Sequence, residues 1–413
     1  MRSFKKFLRS LIPAPLLSFY HYLVAISGAL VFGFPSRKLL VVAVTGTKGK
    51  SSTTEMVNAV LEEAGHKTAL LNSIRIKIAE TSAPNLLRMS MPGRFFIQRF
   101  LRDALRAGCT AAVLEMTSEG ARQHRHRGID LDALIFTNLA PEHIESHGSY
   151  EKYADAKFEL GKQLMRSRKR PRIMVANADD AESTRYLKLP VEHALPFSVS
   201  ANPPWYADER GGYFTLEGVK IPVHFPGEFS LKNALAAAIL ARSLGIAADT
   251  VVRALDKLTL IQGRAERIEG GQNFTVIVDY AHTPDSLEAL FGAYGTKRKI
   301  CVMGVMGGGR DTWKRPVMGA IADRMCAHVI LTNEDPVDED PQKIVEALAS
   351  DMKRTPEIII DRRLAVRRAF ELAKPGDVVL ITGKGTDPWI YGAHGTKIPW
   401  SDAGVAREEL ARL

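Results

Sequence analysis

The stretch Leu39–Ser52, LLVVAVTGTKGKSS, decides the fold of this 413-residue chain. Its first six residues are all apolar, which is typical of a strand buried in a parallel sheet. A glycine-rich turn follows, and the pattern of Ser52–Ala64 predicts a helix. A turn of this kind binds phosphate, because glycines let backbone N–H groups approach an anion and the helix N-terminus favours negative charge.

Individual loop residues have distinct expected roles. Lys50 can reach the β- and γ-phosphates of a nucleotide, and the Ser51 hydroxyl can bind Mg²⁺. The general phosphate-loop pattern has a glycine where this chain has Val44, so the alternative of an ordinary strand-to-helix turn stays open. The residues expected to contact the phosphates are Gly46, Thr47, Lys48, Gly49, Lys50, Ser51 and Ser52.

Short apolar runs recur after this stretch, separated by polar turns and helical patterns such as Pro341–Met352 and Arg363–Leu372. The runs are Ala111–Leu114, Leu134–Phe136, Arg172–Ala176, Val276–Val278, Ile300–Met303, Val329–Leu331, Ile358–Ile360 and Val378–Ile381. Strands that alternate with helices predict an α/β fold built on mostly parallel sheets. The polar, glycine- and proline-rich text near Ser198–Gly227 predicts a β-hairpin insertion.

Composition excludes several classes of protein. With 46% hydrophobic and 25% charged residues, the chain is globular and neither disordered nor collagen-like. Of the net charge of +10, residues 1–38 carry +6, so the body does not have the charge of a nucleic-acid-binding protein. A local basic patch around Arg122, Arg125 and Arg127 remains an alternative. Three cysteines are too few for a disulfide scaffold and suggest a reducing compartment.

The N-terminal segment has a separate character. Leu16–Phe34 has no formal charge over 19 residues and is flanked by basic residues. Its length is just short of the roughly 20 residues that a membrane span needs, and polar residues dilute it. A cleaved signal peptide is a second alternative and a buried helix pair a third. We favour an amphiphilic segment that lies on the inner membrane face or packs against the enzyme.

Polar residues follow several other predicted strands. Glu115 ends one strand, where a carboxylate can bind the Mg²⁺ of a nucleotide. The loop Thr137–Gly148 contains two histidines and two acids. Five further clusters in the last third of the chain are expected at one sheet edge and predict a substrate cleft between two domains. They are Gly263–Glu266, Val278–Asp285, Gly307–Pro316, Thr332–Pro336 and Thr382–Asp387.

From about Leu39 to its C-terminus, the chain resembles the Mur ligase family, and GTKGKSS resembles that family's own short phosphate loop. The motifs that carry the resemblance are TNLAPEHIESHGSYEKYADAK, DYAHTPDSLE, GGGRDTWKRPVMGAIA and GKGTD. They favour the branch that adds the third peptide residue over folylpolyglutamate synthase, which shares the loop. The resemblance implies an N-terminal segment 1–38, a phosphate-loop ATPase-like domain 39–263 and a smaller Rossmann-like domain 264–413. It also implies a cytoplasmic, monomeric, ATP- and Mg²⁺-dependent ligase of peptidoglycan synthesis, with a muramyl-peptide acceptor, an amino acid and no nucleic acid as partners.

The resemblance also implies roles for individual residues. Lys50, His143 and Lys157 would be catalytic, and Lys157 matches a lysine that reacts with CO₂ to form a carbamate. The implied metal ligands are Ser51, Glu115, His143 and Lys157. The implied nucleotide contacts beyond the loop are Asn233, Arg264, Asp279 and His282. The implied substrate contacts are Ser118, Arg125, Arg310, Asp335, Gly383 and Asp387.

Two departures from the family pattern bear on the substrates. Only 38 residues precede the first predicted strand, too few for the usual uridine-nucleotide-binding domain. We therefore expect an acceptor recognised without its UDP, or a lipid-linked acceptor reached through residues 1–36. Enzymes selective for diaminopimelate carry Asn-Pro-Arg where this chain has Asp335-Pro336-Val337, which favours lysine or ornithine. A folate-type acceptor and a non-catalytic ATP-binding scaffold remain alternatives.

Overall fold

The computed structural model describes residues 13–87, 89–142, 144–309 and 311–413, so the predictions for His143 and Arg310 lie outside the described residues. The α-helices are α1 Ala14–Val31, α2 Lys50–Glu63, α3 Arg94–Arg106, α4 Ser118–Arg122, α5 Ile144–His147, α6 Tyr150–Arg166, α7 Ser183–Leu187, α8 Gly227–Ser243, α9 Ala248–Lys257, α10 Pro284–Gly292, α11 Lys314–Met325, α12 Pro341–Ala349, α13 Arg362–Leu372 and α14 Asp402–Leu410. The strands are β1 Leu40–Thr45, β2 Thr68–Leu71, β3 Arg75–Ile78, β4 Thr81–Pro84, β5 Ala111–Glu115, β6 Ala133–Phe136, β7 Ile173–Asn177, β8 His193–Phe197, β9 Tyr206–Ala207, β10 Gly212–Leu216, β11 Val219–Val223, β12 Glu266–Ile268, β13 Thr275–Asp279, β14 Lys299–Met303, β15 His328–Leu331, β16 Glu357–Ile358, β17 Val378–Thr382, β18 Trp389–Tyr391 and β19 Lys397–Pro399.

The chain divides into two compact units, and the first comprises residues 1–140, 149–198 and 233–254. Its sheet has eight strands in the order β4-β3-β2-β5-β1-β6-β7-β8. All neighbours are parallel except the pairs β2–β3 and β3–β4, which are antiparallel. The strand β1 pairs with β5 on one side and β6 on the other. The loops that follow these three strands therefore lie side by side at the carboxyl edge of the sheet.

The centre of this sheet is fully apolar. Val41–Val44 in β1 are completely buried, and β5 and β6 are buried along their whole length. Burial on both faces explains why these strands are continuous apolar runs and not alternating ones. Each fully buried Val or Leu contributes about 1.5–3 kcal/mol, so the strands that position the phosphate loop are firmly anchored in the sheet.

The N-terminal helix α1 packs against the enzyme body, which is one of the outcomes that the sequence analysis allowed. It packs on α3, with Ala25 and Ala29 buried, and a Cβ on Gly28 would lie 3.5 Å from the Phe95 ring. In the described part of the chain, every helix is too short or too polar to span a bilayer.

The second unit comprises residues 141–148, 199–232 and 255–413. Its main sheet has six strands in the order β12-β13-β17-β14-β15-β16, all parallel except β12. The predicted hairpin insertion is a three-stranded antiparallel sheet of β9, β10 and β11. A disulfide joins Cys301 to Cys326, a pairing that the sequence analysis did not predict. The α/β fold class is confirmed, whereas the predicted boundaries 39–263 and 264–413 stay predictions.

Candidate active site

The predicted phosphate loop follows β1 and leads directly into α2. Gly46 and Gly49 both have positive φ, of 147° and 77°, which side-chain-bearing residues rarely adopt. A Cβ on Gly46 would lie 2.0 Å from Thr137 Oγ1, so glycine is also required by the close approach of the β6 loop. The Thr47 and Lys48 N–H groups donate to the Asn138 carbonyl and side-chain oxygens at 2.8 and 2.9 Å. The loop is therefore held rigidly in shape by its neighbour.

The helix α2 begins at the loop in the way that an anion site requires. Among the described residues, no side chain caps its N-terminus. The first N–H groups of the helix are therefore left for an anion, and the helix dipole favours negative charge at the same end. The Lys50 ammonium folds back and donates to the Gly46 and Thr47 carbonyls at 3.0 and 2.7 Å. Ser51 and Ser52 occupy the first turn of the same helix.

Asn233 lies against this loop from α8. A Cβ on Gly49 would be 2.3 Å from Asn233 Oδ1, and Thr53 Oγ1 donates to the same oxygen at 3.3 Å. The sequence analysis assigned Asn233 to the adenine, which stays a prediction. The contact with Gly49 adds a second role, because it couples α8 to the shape of the loop.

Glu115, the last residue of β5, is buried beside the loop. Its Oε2 accepts hydrogen bonds from Ser51 Oγ at 2.7 Å and the Ser73 N–H at 3.1 Å. Its Oε1 accepts one from Ser90 Oγ at 2.6 Å. Ser51 and Glu115 were both predicted from the sequence as Mg²⁺ ligands, which stays a prediction, whereas Ser73 and Ser90 were missed because no motif distinguishes them from other serines.

The oxygen donors around Glu115 suit Mg²⁺, a hard cation that is typically bound by one or two carboxylates together with phosphate oxygens and water. The carboxylate has only neutral donors as partners among the described residues, so its charge is available to a cation. In the same residues there is no group of three or more His, Cys, Asp or Glu placed to hold a metal. Ser51 and Glu115 therefore fit a nucleotide-bound Mg²⁺, and His143 lies outside the described residues.

Lys157 projects from α6 toward the loop and is almost completely buried. Its ammonium donates to the Gly46 carbonyl at 2.5 Å and lies 4.8 Å from the centre of the Tyr153 ring. Tyr153 in turn shares a hydrogen bond of 3.0 Å with Thr47 Oγ1. The structure thus brings Lys157, which the sequence places far from the loop, into direct contact with it.

The predicted acceptor residues lie near the same carboxylate. Ser118 is buried in the first turn of α4, whose N-cap Thr117 accepts from the Gly120 N–H. Arg125 donates to the Met91 carbonyl and to Gln123 Oε1. Met91 directly follows Ser90, a partner of Glu115, so one segment connects the predicted acceptor contact to the predicted metal ligand.

In the second unit, Asp279 ends β13 and accepts hydrogen bonds from the Ala265 and Ala281 N–H groups at 2.6 and 2.7 Å. Desolvation raises the pKa of Asp279 despite the nearby Arg264 guanidinium, which lies 4.6 Å from the centre of the Tyr280 ring. His282 shares a hydrogen bond of 3.0 Å with Glu142. Arg264 from one motif is therefore close to Asp279 and His282 from another.

A second cluster in this unit surrounds the end of β15. Lys384 is completely buried and pairs with Asp335 at 2.8 Å and with Asp387 at 3.4 Å. Glu334 is also buried, and its Oε2 has no hydrogen-bond partner among the described residues. Burial raises the pKa of Glu334.

Gly383 makes room for the Glu334 side chain. A Cβ on Gly383 would lie 2.4 Å from Glu334 Oε2. The sequence analysis named Gly383, Asp335 and Asp387 as substrate contacts, which stay predictions. It did not assign a role to Lys384, and buried ion pairs of this kind have no local sequence signal.

Comparison with known proteins identifies the family of the chain. The family description "Mur ligase middle domain" matches residues 44–241, and "Mur ligase, glutamate ligase domain" matches residues 263–385. A UDP-N-acetylmuramyl-tripeptide synthetase from Roseiflexus sp. (strain RS-1) is 38% identical over 97% of this chain and 85% of its own length. A UDP-N-acetylmuramoyl-L-alanyl-D-glutamate–2,6-diaminopimelate ligase from Halalkalibacterium halodurans is 32% identical over 92% of this chain and 80% of its own length.

Solved structures agree with this. A UDP-N-acetylmuramoyl-L-alanyl-D-glutamate–2,6-diaminopimelate ligase matches with a TM-score of 0.61 and 27% identity, covering 91% of this chain and 78% of its own. The ADP complex of Mycobacterium tuberculosis folylpolyglutamate synthase matches with a TM-score of 0.72 at 19% identity, covering 95% of each chain, and shows a shared fold. The chain belongs to the Mur ligase family, the ATP-dependent enzymes that form amide bonds in peptidoglycan synthesis.

Proposed function

We propose that the protein joins an amino acid with two amino groups to the carboxylate of a muramyl-peptide acceptor. The observation that carries the ligase chemistry is the hydrogen bond between Ser51 and Glu115 beside the phosphate loop. It supports a site for the phosphates of ATP and their Mg²⁺, because a hydroxyl and a carboxylate are oxygen ligands that suit this cation. The acceptor is proposed from the printed names of the relatives, which are muramyl-peptide ligases.

The proposed reaction has two steps. An oxygen of the acceptor carboxylate attacks the γ-phosphorus of ATP, and ADP leaves with the electrons of the broken bond, giving an acyl phosphate. The neutral amine of the amino acid then attacks the acyl carbon, phosphate leaves, and the amine loses a proton. Lys50 and the N-terminus of α2 stabilise negative charge on the phosphoryl group during the first step. Mg²⁺, held by Ser51 and Glu115, would supply further positive charge.

We propose that Lys157 is carbamylated in the active enzyme. Carbamylation requires the neutral amine of Lys157 to add to CO₂ and lose a proton, and its Nζ lies against the loop at the Gly46 carbonyl. A carbamate keeps one N–H on Nζ, which can still donate to the Gly46 carbonyl. The modification would convert a cation beside the loop into an anion that can bind a second Mg²⁺.

The choice of amino acid is proposed from the cluster at the end of β15. Glu334 has a buried oxygen without a partner in the described structure, and such an oxygen gains a hydrogen bond when an ammonium group binds. Asp335 is already paired with Lys384. Val337 stands where an arginine would be needed for a second carboxylate. We therefore propose that lysine or ornithine is preferred to diaminopimelate.

The test is ADP release by the purified protein with Mg²⁺-ATP and UDP-N-acetylmuramoyl-dipeptide. Lysine, ornithine and diaminopimelate are added in separate reactions. We expect turnover with lysine or ornithine. In the variant Glu334→Gln, the KM for that amino acid should rise roughly tenfold or more, because a charge-assisted hydrogen bond is lost. The exposed Glu346→Gln is the matched control and should leave KM unchanged.

Each other outcome has a clear meaning. Turnover with diaminopimelate alone would overturn the pocket assignment. If protein that binds ATP releases no ADP with any of the three amino acids, the soluble UDP-linked compound is not the acceptor. A lipid-linked muropeptide or a folate-type acceptor would then be tested. ATP binding without turnover on any acceptor would favour a scaffold.

We also propose where the enzyme works. Dependence on ATP favours the cytoplasm, and the monomeric state implied by the family resemblance stays a prediction. Residues 1–36 are proposed to associate peripherally with the inner membrane face.

A further inference from the structure

The helix α1 has two different apolar faces. One face packs on the body: Ala25, Gly28 and Ala29 are buried, and Ser18 Oγ shares a hydrogen bond of 2.7 Å with His124 Nε2. A Cβ on Gly128 would lie 2.5 Å from the Ala29 Cβ, so the contact depends on glycine. The position of the helix is therefore fixed by the fold.

The opposite face of α1 is exposed and mostly apolar, with the exposed Ser27 lying between Leu23 and Val31. Phe19 is 57% exposed, Leu30 62% and Val31 69%. Leu16, Phe19, Tyr20, Leu23, Leu30 and Val31 follow the helical repeat, whereas the exposed Tyr22 lies edge-on to His124 on another side of the helix. A helix on a water-facing surface normally carries polar side chains on its outer face. Residues 10–36 contain no Asp, Glu, Lys or Arg, so this face is suited to a non-aqueous neighbour.

The charge around α1 is strongly positive. Residues 1–38 carry six basic residues and no acidic one. The supporting helix α3 adds four arginines against Asp103, and the Arg99 and Arg106 side chains are largely exposed. An apolar helix face bordered by bases is the pattern of an interfacial helix that binds anionic lipid. Tyr20 and Tyr22 suit the boundary between headgroups and acyl chains.

We propose that the exposed face of α1 docks on an anionic lipid bilayer, with the helix lying in the plane of the interface. The side of the membrane rests on the proposed function, because ATP is cytoplasmic. A second copy of the chain is a poorer occupant. A two-fold contact through α1 would join two copies whose first 38 residues carry only positive charge, and like charges oppose association.

The experiment is cosedimentation of the full-length protein with vesicles of phosphatidylcholine alone or mixed with phosphatidylglycerol. We expect binding to the mixed vesicles that weakens as salt is raised, since screening reduces the attraction. The double variant Phe19→Ser, Leu23→Ser should bind at least about tenfold more weakly, because it removes two apolar side chains from the docking face. Both side chains are exposed, so its thermal stability should match that of the parent.

The matched control is Leu364→Ser, Ile398→Ser, which removes two exposed apolar side chains elsewhere and should bind vesicles normally. The proposal is overturned if the parent stays in solution with both vesicles, or if the α1 variant binds as the parent does. A dimer in the absence of lipid that the α1 variant dissociates would also overturn it. Vesicle binding without ADP release would instead refute the proposed function and leave the docking intact.

Discussion

Glu115 in the first unit and Asp335 in the second are both buried carboxylates at the carboxyl ends of parallel strands, yet their partners differ in kind. Glu115 accepts hydrogen bonds from serine hydroxyls and an amide, which carry no charge. Asp335 is paired with the buried ammonium of Lys384 at 2.8 Å. Neutral donors leave a negative charge available to a ligand, whereas an ion pair cancels it within the fold. The first region is therefore suited to binding a cation, and the second to holding its loops in place.

The largest effect is expected for Lys384→Met. It leaves Asp335 buried without its cation and removes the positive charge nearest to Glu334, which costs about 3–5 kcal/mol of unfolding free energy. All four tryptophans (Trp205, Trp313, Trp389 and Trp400) belong to the second unit. Urea unfolding followed by tryptophan fluorescence therefore reports on this unit.

The control for this prediction is Arg324→Met in the same unit. Arg324 pairs with Glu288 at 2.5 Å, and both side chains are more than half exposed. Loss of a surface pair should cost less than about 1 kcal/mol. Equal effects of the two substitutions would show that Lys384 is not a structural cation.

A second large effect is expected in the phosphate loop, for Gly49→Ala. The added Cβ would lie 2.3 Å from Asn233 Oδ1 on a backbone with φ of 77°, so the loop must shift. We expect kcat/KM for ATP to fall by about a hundredfold, because preorganised donors contribute this much to catalysis. ADP release at varied ATP concentrations measures it.

The control for Gly49→Ala is Gly65→Ala, which adds the same backbone strain without a clash with a neighbouring side chain. Gly65 has φ of 89° and nothing within 4 Å of its Cβ position. This variant should lose about 1 kcal/mol of stability and keep its activity. A comparable loss of activity in both variants would mean that the contact of Gly49 with Asn233 is unimportant.

This difference between the regions also explains what the sequence could predict. The loop, its strand and its helix are contiguous, so the pattern of glycines and apolar residues predicts them. The environment of Glu115 depends on Ser73 and Ser90, which reach it only through sheet pairing and a loop, and no local pattern marks them. The buried pair of Lys384 and Asp335 was missed because burial of charged groups depends on the tertiary fold.

A moderate effect is expected for Ser90→Ala, which tests the neutral-donor arrangement. Ser90 donates to Glu115 Oε1 at 2.6 Å, and hydrogen bonds to charged groups contribute about 1.5 kcal/mol or more. We expect the free energy of unfolding of the first unit, measured by hydrogen exchange, to fall by about this amount. We also expect half-maximal ADP release to require a higher Mg²⁺ concentration. Ser82→Ala on the exposed strand β4 is the control. A change in stability without a change in the Mg²⁺ requirement would limit Ser90 to a structural role.

The smallest expected effect is on how the stability of the first unit depends on pH. It concerns a buried group that has, in the described structure, neither neutral hydrogen-bond donors nor an ion-pair partner. His126 is completely buried in the first unit, and neither ring nitrogen has a hydrogen-bond partner among the described residues. Burial, assisted by the Arg127 guanidinium, lowers the pKa of His126 well below 6.5.

In the unfolded chain this ring binds a proton near pH 6.5, while the folded protein keeps it neutral, so stability falls as pH drops below 6.5. The expected loss from this group is about 1 kcal/mol between pH 6.5 and 5.5. His126→Leu should remove that part of the pH dependence, measured by hydrogen exchange of the first unit at the two pH values. His193→Leu, which changes an exposed ring of the same unit, should retain it. An unchanged pH dependence in His126→Leu would show that the ring is protonated in the folded protein. A positive charge would then be buried at His126 without a hydrogen-bond partner in the described residues, unlike Lys384, whose charge is paired with Asp335.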